Sequence, residues 1–534
     1  MPRLRTLIIL TLAALCAALS TVPATARRKG GEILSSEEPA TREFRGAWVQ
    51  TAFQDRYSKR NTAQNMAYLK SLVETLRSAG FNAVIFQVRP EGDAFYPSRL
   101  GPWSRFLTGV FGRAPRDEWD PLAYMVGLCH ERGMELHAWI NPYRLSASKG
   151  RVPQEHPVYR EHPEWCVQYG DRWYLDPGMP EVRGYVREVV KDIVKRYDVD
   201  AIHFDDYFYP YPEAGLAFDD RATFLSYAPI LNLDTSGPTA LADFRRRSVD
   251  ILVKYVHDDI RALKPWVRFG ISPFGIYRNQ AAWSKGSRTN GTQCYDDLYA
   301  DVLRWAKAGW IDYVIPQLYW EIGHQKADYR TLVRWWEDAV PSSCQLYIGQ
   351  SIERSLDDPK DAVPTPDLRQ SHVHFMNKVN MARSLHGVDG LCFWYAYQVE
   401  DNAYHVRDLL RQNVFTHRTF TPAFTAMRDV RPEAVQGLKA EFTGRGLRIM
   451  WQSSPAQAKF AASNGGITYN VYKFSKGEKV STDDLSHLLL QTSTPEFYDY
   501  DIASSRSYTY IVTVLDRYGN ESKGAKAKFK VSIK

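Results

Sequence analysis

Between Arg45 and Tyr397 eight short apolar runs alternate with amphipathic stretches, and this alternation restricts the fold more than any other feature of the 534-residue chain. The runs are RGAWVQT from Arg45, AVIFQVR from Ala83, ELHAWINP from Glu135, AIHFDDY from Ala201, RFGISPF from Arg268, DYVIPQLYW from Asp312, QLYIGQSI from Gln345 and GLCFWYAY from Gly390. Each is rich in β-branched and aromatic residues and has the length of a buried strand. The stretches between them have helical spacing: NMAYLKSLVETLRSAG places Met66, Leu69, Leu72, Val73 and Leu76 on one stripe, with Gly80 as its stop. Strands alternating with helices make βαβ units and a parallel α/β sheet. Eight units predict a (β/α)8 TIM barrel over residues 43–420 with enlarged loops, because about 250 residues suffice for such a barrel. A doubly wound sheet is the competing architecture. It usually needs a glycine-rich phosphate turn after its first strand, and no G-x-G-x-x-G follows the first run.

The pattern changes near residue 425. GLKAEF, GLRIMWQ, ITYNVYKF, SYTYIVTVLD and KFKVSI are alternating strands with no helical pattern between them, which predicts a β-sandwich over residues 428–534. Trp451 is placed like the core tryptophan of a fibronectin type III module, which this segment resembles. A boundary there is one that few contacts need to cross. At the other end, MPRLR, an apolar run and ATA at residues 24–26 read as a signal peptide over residues 1–26, followed by a flexible polar leader over 27–42. The apolar run is shorter than the ~20 residues a membrane span needs. The expectation is an exported protein of the periplasm, cell envelope or extracellular medium, without a membrane span.

Composition excludes some partners. A net charge of +7 over this length, with no dense Lys/Arg stripe, excludes a nucleic-acid footprint. Cys129, Cys166, Cys294, Cys344 and Cys392 are widely spaced with no C-x-x-C, so they form neither a disulfide framework nor a zinc knuckle, although one bridge is allowed. No cofactor motif is present, and the expectation is no metal and no cofactor.

In a TIM barrel the active site lies at the C-terminal ends of the strands. The second run ends in Gln87 and Arg89, with Asp93 just beyond. The third supplies His137, Trp139 and Asn141, then Tyr143 and Arg144. The fourth supplies His203, Asp205 and Asp206, then Tyr207. The sixth supplies Gln317, Tyr319, Trp320 and Glu321, and the eighth Trp394 and Tyr397. Single polar strand ends mean little, but their convergence at one end marks a cleft. Strand alternation puts His137, Trp139 and Asn141 on one face, His203 with Asp205, and Gln317 with Tyr319 and Glu321. Carboxylates together with amides, an arginine and aromatic rings suit glycoside hydrolysis: one acid protonates the leaving oxygen, and a carboxylate activates water, attacks or stabilises the cation. Two adjacent carboxylates raise the pKa of one of them. Tyr207, Phe208 and Tyr209 are expected to limit water around the pair. Two other readings stand beside this one. The pair could cap the following loop, or it could bind a metal together with His203 and His137. Trp335 and Trp336 read as helix packing, and Arg245 to Arg247 as a solvated helix face.

FRGAWVQT, NAVIFQVRPEGDAFYPS, ELHAWINPYR, WYLDPGMPEVR, IHFDDYFYP, GISPFGI and DYVIPQLYW, in that order, resemble the glycosyl-hydrolase-like family ten barrels of bacteria over about residues 43–410. The resemblance implies a glycosidase-like envelope barrel, and some members cut peptidoglycan strands stripped of their stem peptides. It also implies that Asp205, Asp206 and Glu321 occupy catalytic positions. Asp206 is assigned as the general acid, Asp205 as its electrostatic partner or the nucleophile, and Glu321 as the second carboxylate; the two aspartates are interchangeable here. The expected substrate is an N-acetylhexosamine polysaccharide, peptide-stripped peptidoglycan first, with a poly-N-acetylglucosamine-type exopolysaccharide as the alternative. A non-catalytic glycan-binding adaptor is the reading from another class, and the C-terminal module offers a surface for an envelope protein partner.

Overall fold

The computed structural model describes residues 42–146, 155–356, 368–424, 431–463, 465–483, 485–504 and 506–530. The signal peptide and nearly all of the leader lie outside the described residues. Strands β1 (Phe44–Val49), β2 (Ala83–Arg89), β3 (Glu135–Ile140), β4 (Ala201–Phe204), β5 (Arg268–Ile271), β6 (Tyr313–Val314), β7 (Gln345–Ser351) and β8 (Gly390–Trp394) close into a barrel. All neighbours are parallel, and β1 closes the ring between β2 and β8. Closure removes the doubly wound alternative.

The helices follow the sequence signals. Helix α1 (Thr62–Ser78) starts in a capping box formed by Asn61 and Gln64 and buries Leu69, Leu72, Val73 and Leu76. It stops at Gly80, whose φ of +93° suits glycine and where a Cβ would meet Phe415 at 2.6 Å. Helices α2 (Pro121–His130) and α3 (Pro180–Arg196) each carry proline in the first turn. Helix α4 (Ala240–Leu263) corrects the reading of Arg245 to Arg247. Only Arg247 faces solvent; Arg245 is clamped on both Asp220 oxygens at 2.8 and 2.6 Å, and Arg246 bonds Asp243 and the Tyr295 carbonyl. Trp336 packs fully buried with its indole N–H on the Gly275 carbonyl, as the packing reading expects.

The barrel interior is packed in levels. Phe44 stacks on Tyr347 at 4.1 Å near the N-terminal end, beside the buried Glu135–Arg268 ion pair. His137 belongs to this level, 2.9 Å from both Glu135 and the Tyr313 hydroxyl. His203 sits above it, held by Tyr313, Ser272 and the Trp48 indole. All five described cysteines are unbridged thiols.

After the barrel come β9 (Gln436–Phe442), β10 (Leu447–Gln452), β11 (Ile467–Ser475), β12 (Leu488–Thr492), β13 (Glu496–Asp499), β14 (Ser507–Asp516) and β15 (Ala525–Lys530). They form antiparallel sheets in the orders β9-β10-β13 and β12-β11-β14-β15. The two sheets share one core, in which Trp451 meets Tyr469 edge-on at 5.2 Å. This part packs with the barrel as one compact unit. Arg517, at the β14–β15 turn, reaches Asp198 at 2.7 Å and Asp200 at 3.0 Å just before β4. Phe424 N–H donates to the Tyr518 carbonyl, and Gly465 lies so close to Trp266 that a Cβ would meet the indole at 2.3 Å.

Candidate active site

The last residues of β4 lead into the site. The strand ends at Phe204, which packs edge-on against Phe269, and the next two residues, Asp205 and Asp206, line a cavity of about 420 Å³ at the C-terminal end of the barrel. Trp48, Trp139 and Trp394 contribute indoles to its wall, and Tyr207, Tyr211 and Tyr319 contribute phenols. Ser272 and Gln317 add polar groups from the segments just after β5 and β6, and Ser351, Glu353 and Arg354 form the side at the end of β7.

Both aspartates are buried, at 3% and 4% exposure. Asp205 Oδ2 accepts from the Trp139 indole at 3.3 Å and from the Asn141 amide, and Oδ1 from the Tyr207 backbone N–H at 3.4 Å. Asn141 is held in turn by Gln87, whose Nε2 donates to its carbonyl at 2.8 Å. Gln87 is anchored because its own carbonyl accepts from the backbone N–H groups of Thr51 and Ala52, each at 2.9 Å. Asp206 accepts from the Tyr211 hydroxyl and is further eased by Gln317. Burial pushes the Asp205 carboxyl up to about 7, with the neighbouring Asp206 adding to the shift and Arg144 opposing it. Burial raises Asp206 too, against the bonds from Tyr211 and Gln317. Two like charges in one desolvated place favour a pair that keeps a proton near neutral pH. Arg144 stands beside the pair, its Nε on the Pro90 carbonyl at 2.8 Å and its guanidinium over the Tyr207 ring at 5.2 Å.

The other sequence-selected residues divide by depth. Trp139, Tyr207, Gln317, Tyr319 and Trp394 line the cavity with the aspartates, while Gln87 and Asn141 stand directly behind Asp205. His137 and His203 share the predicted inward face but are fully buried in lower levels, so they belong to the barrel core instead of the cleft. Arg89 is buried and ties the loop after β2 together through the Gly92 and Leu100 carbonyls and the Tyr185 hydroxyl. Asp93 holds the same loop through the Glu91 N–H. Tyr143 is fully buried, and Tyr397 bonds Tyr57 and the Gln50 carbonyl. Trp320 packs edge-on against Phe274 at 5.3 Å. Phe208 and Tyr209, expected to screen the pair, are instead buried against Trp305 and against Phe218 with Tyr299; Tyr211 takes the screening place.

Glu321 departs most from expectation. Strand β6 ends at Val314, and Pro316 has no N–H to extend the ladder. Pairing resumes as single bridges from Gln317 to Phe274 and Gly349, and Gln317 and Tyr319 share the cavity face as alternation predicts, but Glu321 does not join them. Glu321 turns toward the helix Leu368–Arg383, where His374 Nε2 stands 3.0 Å from its Oε2 without hydrogen-bond geometry, and its Oε1 has no partner among the described residues. Among the described residues lining the cavity, the third carboxylate is Glu353. No group of three or more His, Cys, Asp or Glu side chains among the described residues is placed to hold a metal ion, and no described helix is long and apolar enough to cross a membrane.

A closed parallel barrel with paired carboxyls in an aromatic cavity at its C-terminal end has the architecture of a glycoside hydrolase. The family description Glycosyl hydrolase-like 10 matches residues 43–363, and the chain belongs to that family of glycoside hydrolases. It is 36% identical over 501 residues to the glycosyl hydrolase YngK of Bacillus subtilis (strain 168), covering 91% of this chain and 93% of that protein. It is 36% identical over 359 residues to the glycosyl hydrolase DigH of Escherichia coli (strain K12), covering 63% of this chain and 79% of that one. Among solved structures it is similar to the PgaB (BpsB) glycoside hydrolase domain from Bordetella bronchiseptica. That likeness has a TM-score of 0.47 at 13% identity and covers 70% of this chain and 98% of that one.

Proposed function

We propose that this glycoside hydrolase cleaves an N-acetylhexosamine polysaccharide by carboxylate acid/base catalysis at Asp205 and Asp206, with peptide-stripped peptidoglycan as its first substrate. The observation that carries the mechanism is the buried pair itself, raised by its surroundings and open to a cavity walled by indoles and phenols. Hydrogen-bond polarity favours one division of labour. Asp205 accepts from three N–H groups that can only donate, which suits the ionised form. Asp206 faces the Tyr211 hydroxyl and the Gln317 amide, both of which can also accept. Burial and the neighbouring charge raise Asp205 as well, but the two carboxyls titrate as a pair, and the fixed donors favour the proton on Asp206. Asp206 is therefore the acid and Asp205 the charged partner or nucleophile. Glu353, on the cavity wall, competes with Glu321 for the role of second carboxylate.

Purified protein incubated with intact peptidoglycan, amidase-stripped strands and poly-N-acetylglucosamine, with products read by mass spectrometry, tests the substrate. Cleavage of stripped strands is expected, and cleavage of poly-N-acetylglucosamine alone would replace it with the exopolysaccharide reading. Asp205→Asn and Asp206→Asn should each lower turnover by roughly 10²–10⁴-fold with folding retained. Glu353→Gln measured beside Glu321→Gln identifies the second carboxylate. The C-terminal sheets are read as a fibronectin type III-like module, supported by their three-plus-four strand division and the core position of Trp451. Export to the envelope is proposed from the N-terminal residues alone.

A further inference from the structure

The end of β7 brings a cation into a cavity that otherwise collects acids. Asp205, Asp206 and Glu353 all line it. Of the two arginines beside these carboxylates, Arg144 is already engaged, with Nε on the Pro90 carbonyl and its face over Tyr207. Arg354 is different. Its backbone N–H is fixed on Ser351 Oγ at 3.2 Å, in the turn where β7 passes into the short helix Ile352–Leu356. Its side chain is exposed, lines the cavity and is paired with no carboxylate among the described residues. A planar guanidinium with free donors is built to take a carboxylate through two parallel hydrogen bonds.

Charge gives this placement a consequence. An anionic sugar entering a site with Glu353 and a carboxyl pair that shares one proton is repelled unless a cation receives it, and Arg354 is an available cation on the wall. A cationic sugar, such as a deacetylated glucosamine unit, meets repulsion from the same group. We infer that Arg354 makes the cavity selective for a glycan whose hexosamine carries a free carboxylate. In peptidoglycan this is the ether-linked acid that becomes free only when the stem peptide has been cut away; in a peptide-bearing strand the same carbon is an uncharged amide. The inference rests on the glycosidase reading of the Asp205–Asp206 cavity and selects between its two candidate polymers.

The test uses the full chain and two oligosaccharides of identical sugars, one with the acid free and one with it capped as a primary amide. The wild-type protein should prefer the free acid by roughly tenfold to a hundredfold in kcat/KM, the range of a hydrogen-bonded charge pair. Arg354→Gln should bring that ratio close to one, chiefly through KM, and Arg354→Lys should keep part of it. Raising the salt concentration should raise the wild-type KM for the acid and leave that for the amide nearly unchanged. Equal use of both oligosaccharides by the wild type, or an unchanged ratio in Arg354→Gln, overturns the inference. If neither is cut, the proposed substrate fails. Calorimetric binding of the two oligosaccharides to the wild-type protein then decides the Arg354 question separately, and equal affinity or no binding overturns it. If Arg354→Gln does not fold, the wild-type ratio and the Arg354→Lys ratio carry the decision.

Discussion

Asn141 donates its side-chain amide to Asp205 Oδ2 while its own carbonyl is fixed by Gln87 at 2.8 Å. The amide therefore cannot flip without breaking the second bond, and Asp205 always faces a donor. Removing that donor destabilises the charged carboxylate and raises the Asp205 pKa further. Asn141→Ala should lower kcat by roughly tenfold to a hundredfold, the value of a hydrogen bond to a charged group. It should also move the limb of the pH–rate profile set by Asp205 to higher pH. Gln87→Glu keeps the acceptor for the Thr51 and Ala52 N–H groups but cannot hold the Asn141 carbonyl, so the same limb should move in the same direction. A pH–rate profile of each variant checks both, and an unmoved limb would mean that Asn141 only packs.

Tyr211 plays the corresponding part for Asp206. Its hydroxyl bonds the carboxyl, and its ring packs edge-on against Phe274 at 5.7 Å. Tyr211→Phe keeps the ring and removes the hydroxyl. Asp206 then loses a donor that lowers its pKa, so its titration should move upward, with kcat falling by roughly tenfold. Thermal stability should change little. A fall in stability comparable to the fall in kcat would mark the hydroxyl as structural.

The carboxyl pair should cost stability at neutral pH. Because the folded pKa is raised, the native state binds more protons than the unfolded chain between the ordinary carboxyl value and about 7. Stability attributable to the pair therefore falls as pH rises through that window. Asp205→Asn removes the Asp205 share of the penalty, at roughly 1.4 kcal/mol per pKa unit removed; Asp206→Asn removes its own share and the like charge, while burial still raises Asp205. Either variant should gain stability over the wild type from pH 4 to pH 8, by about 1–3 kcal/mol across the interval. Denaturant unfolding at pH 4, 6 and 8 measures the difference, and a constant difference would show that the pair is not held above its ordinary value. An inactive variant that is more stable at neutral pH is the pattern of a strained functional site.

Sequence periodicity was sufficient for the barrel, because eight buried strands alternating with amphipathic helices leave few other ways to hide so much apolar surface. It also located Asp205 and Asp206, which follow directly on a strand that must end at the cleft. Depth was harder to read. Alternation gives the face on which His137 and His203 lie but not how far up the barrel axis they sit, and both belong to the packed levels below the cavity. Alternation also presumes a continuing strand: past Pro316 it still places Gln317 and Tyr319 on the cavity wall, but it no longer holds at Glu321. The end of the seventh run carried a legible signal: Ser351 to Arg354 place two charges directly after β7, and the same strand-end argument that selected Asp205 selects them.

The C-terminal sheets are expected to stabilise the barrel from its N-terminal face. Arg517 is 15% exposed and its guanidinium bonds Asp198 and Asp200. Asp200 also bonds His130 at 2.9 Å and the Leu136 backbone N–H at 2.8 Å, at the starts of β3 and β4. Despite burial, His130 and Arg517 hold the Asp200 carboxyl below its ordinary value, while Asp200 raises His130. The Asp200 contribution is present above the ordinary carboxylate range and is lost as pH falls through the lowered value; the His130 contribution is full below its ordinary value and is lost as pH rises through the raised one. Arg517→Ala leaves two carboxylates facing one histidine, so it should cost about 1–3 kcal/mol, less than the figure for a fully buried pair because Asp198 is half exposed. Ending the chain at residue 424 should cost more, since it also strips Trp266 of its cover at Gly465 and removes the Tyr518 carbonyl from Phe424. Unfolding curves of the full chain, Arg517→Ala and the shortened chain check this order. If the shortened chain is as stable as the whole, the sheets are a passenger on the barrel and Arg517 contributes nothing measurable.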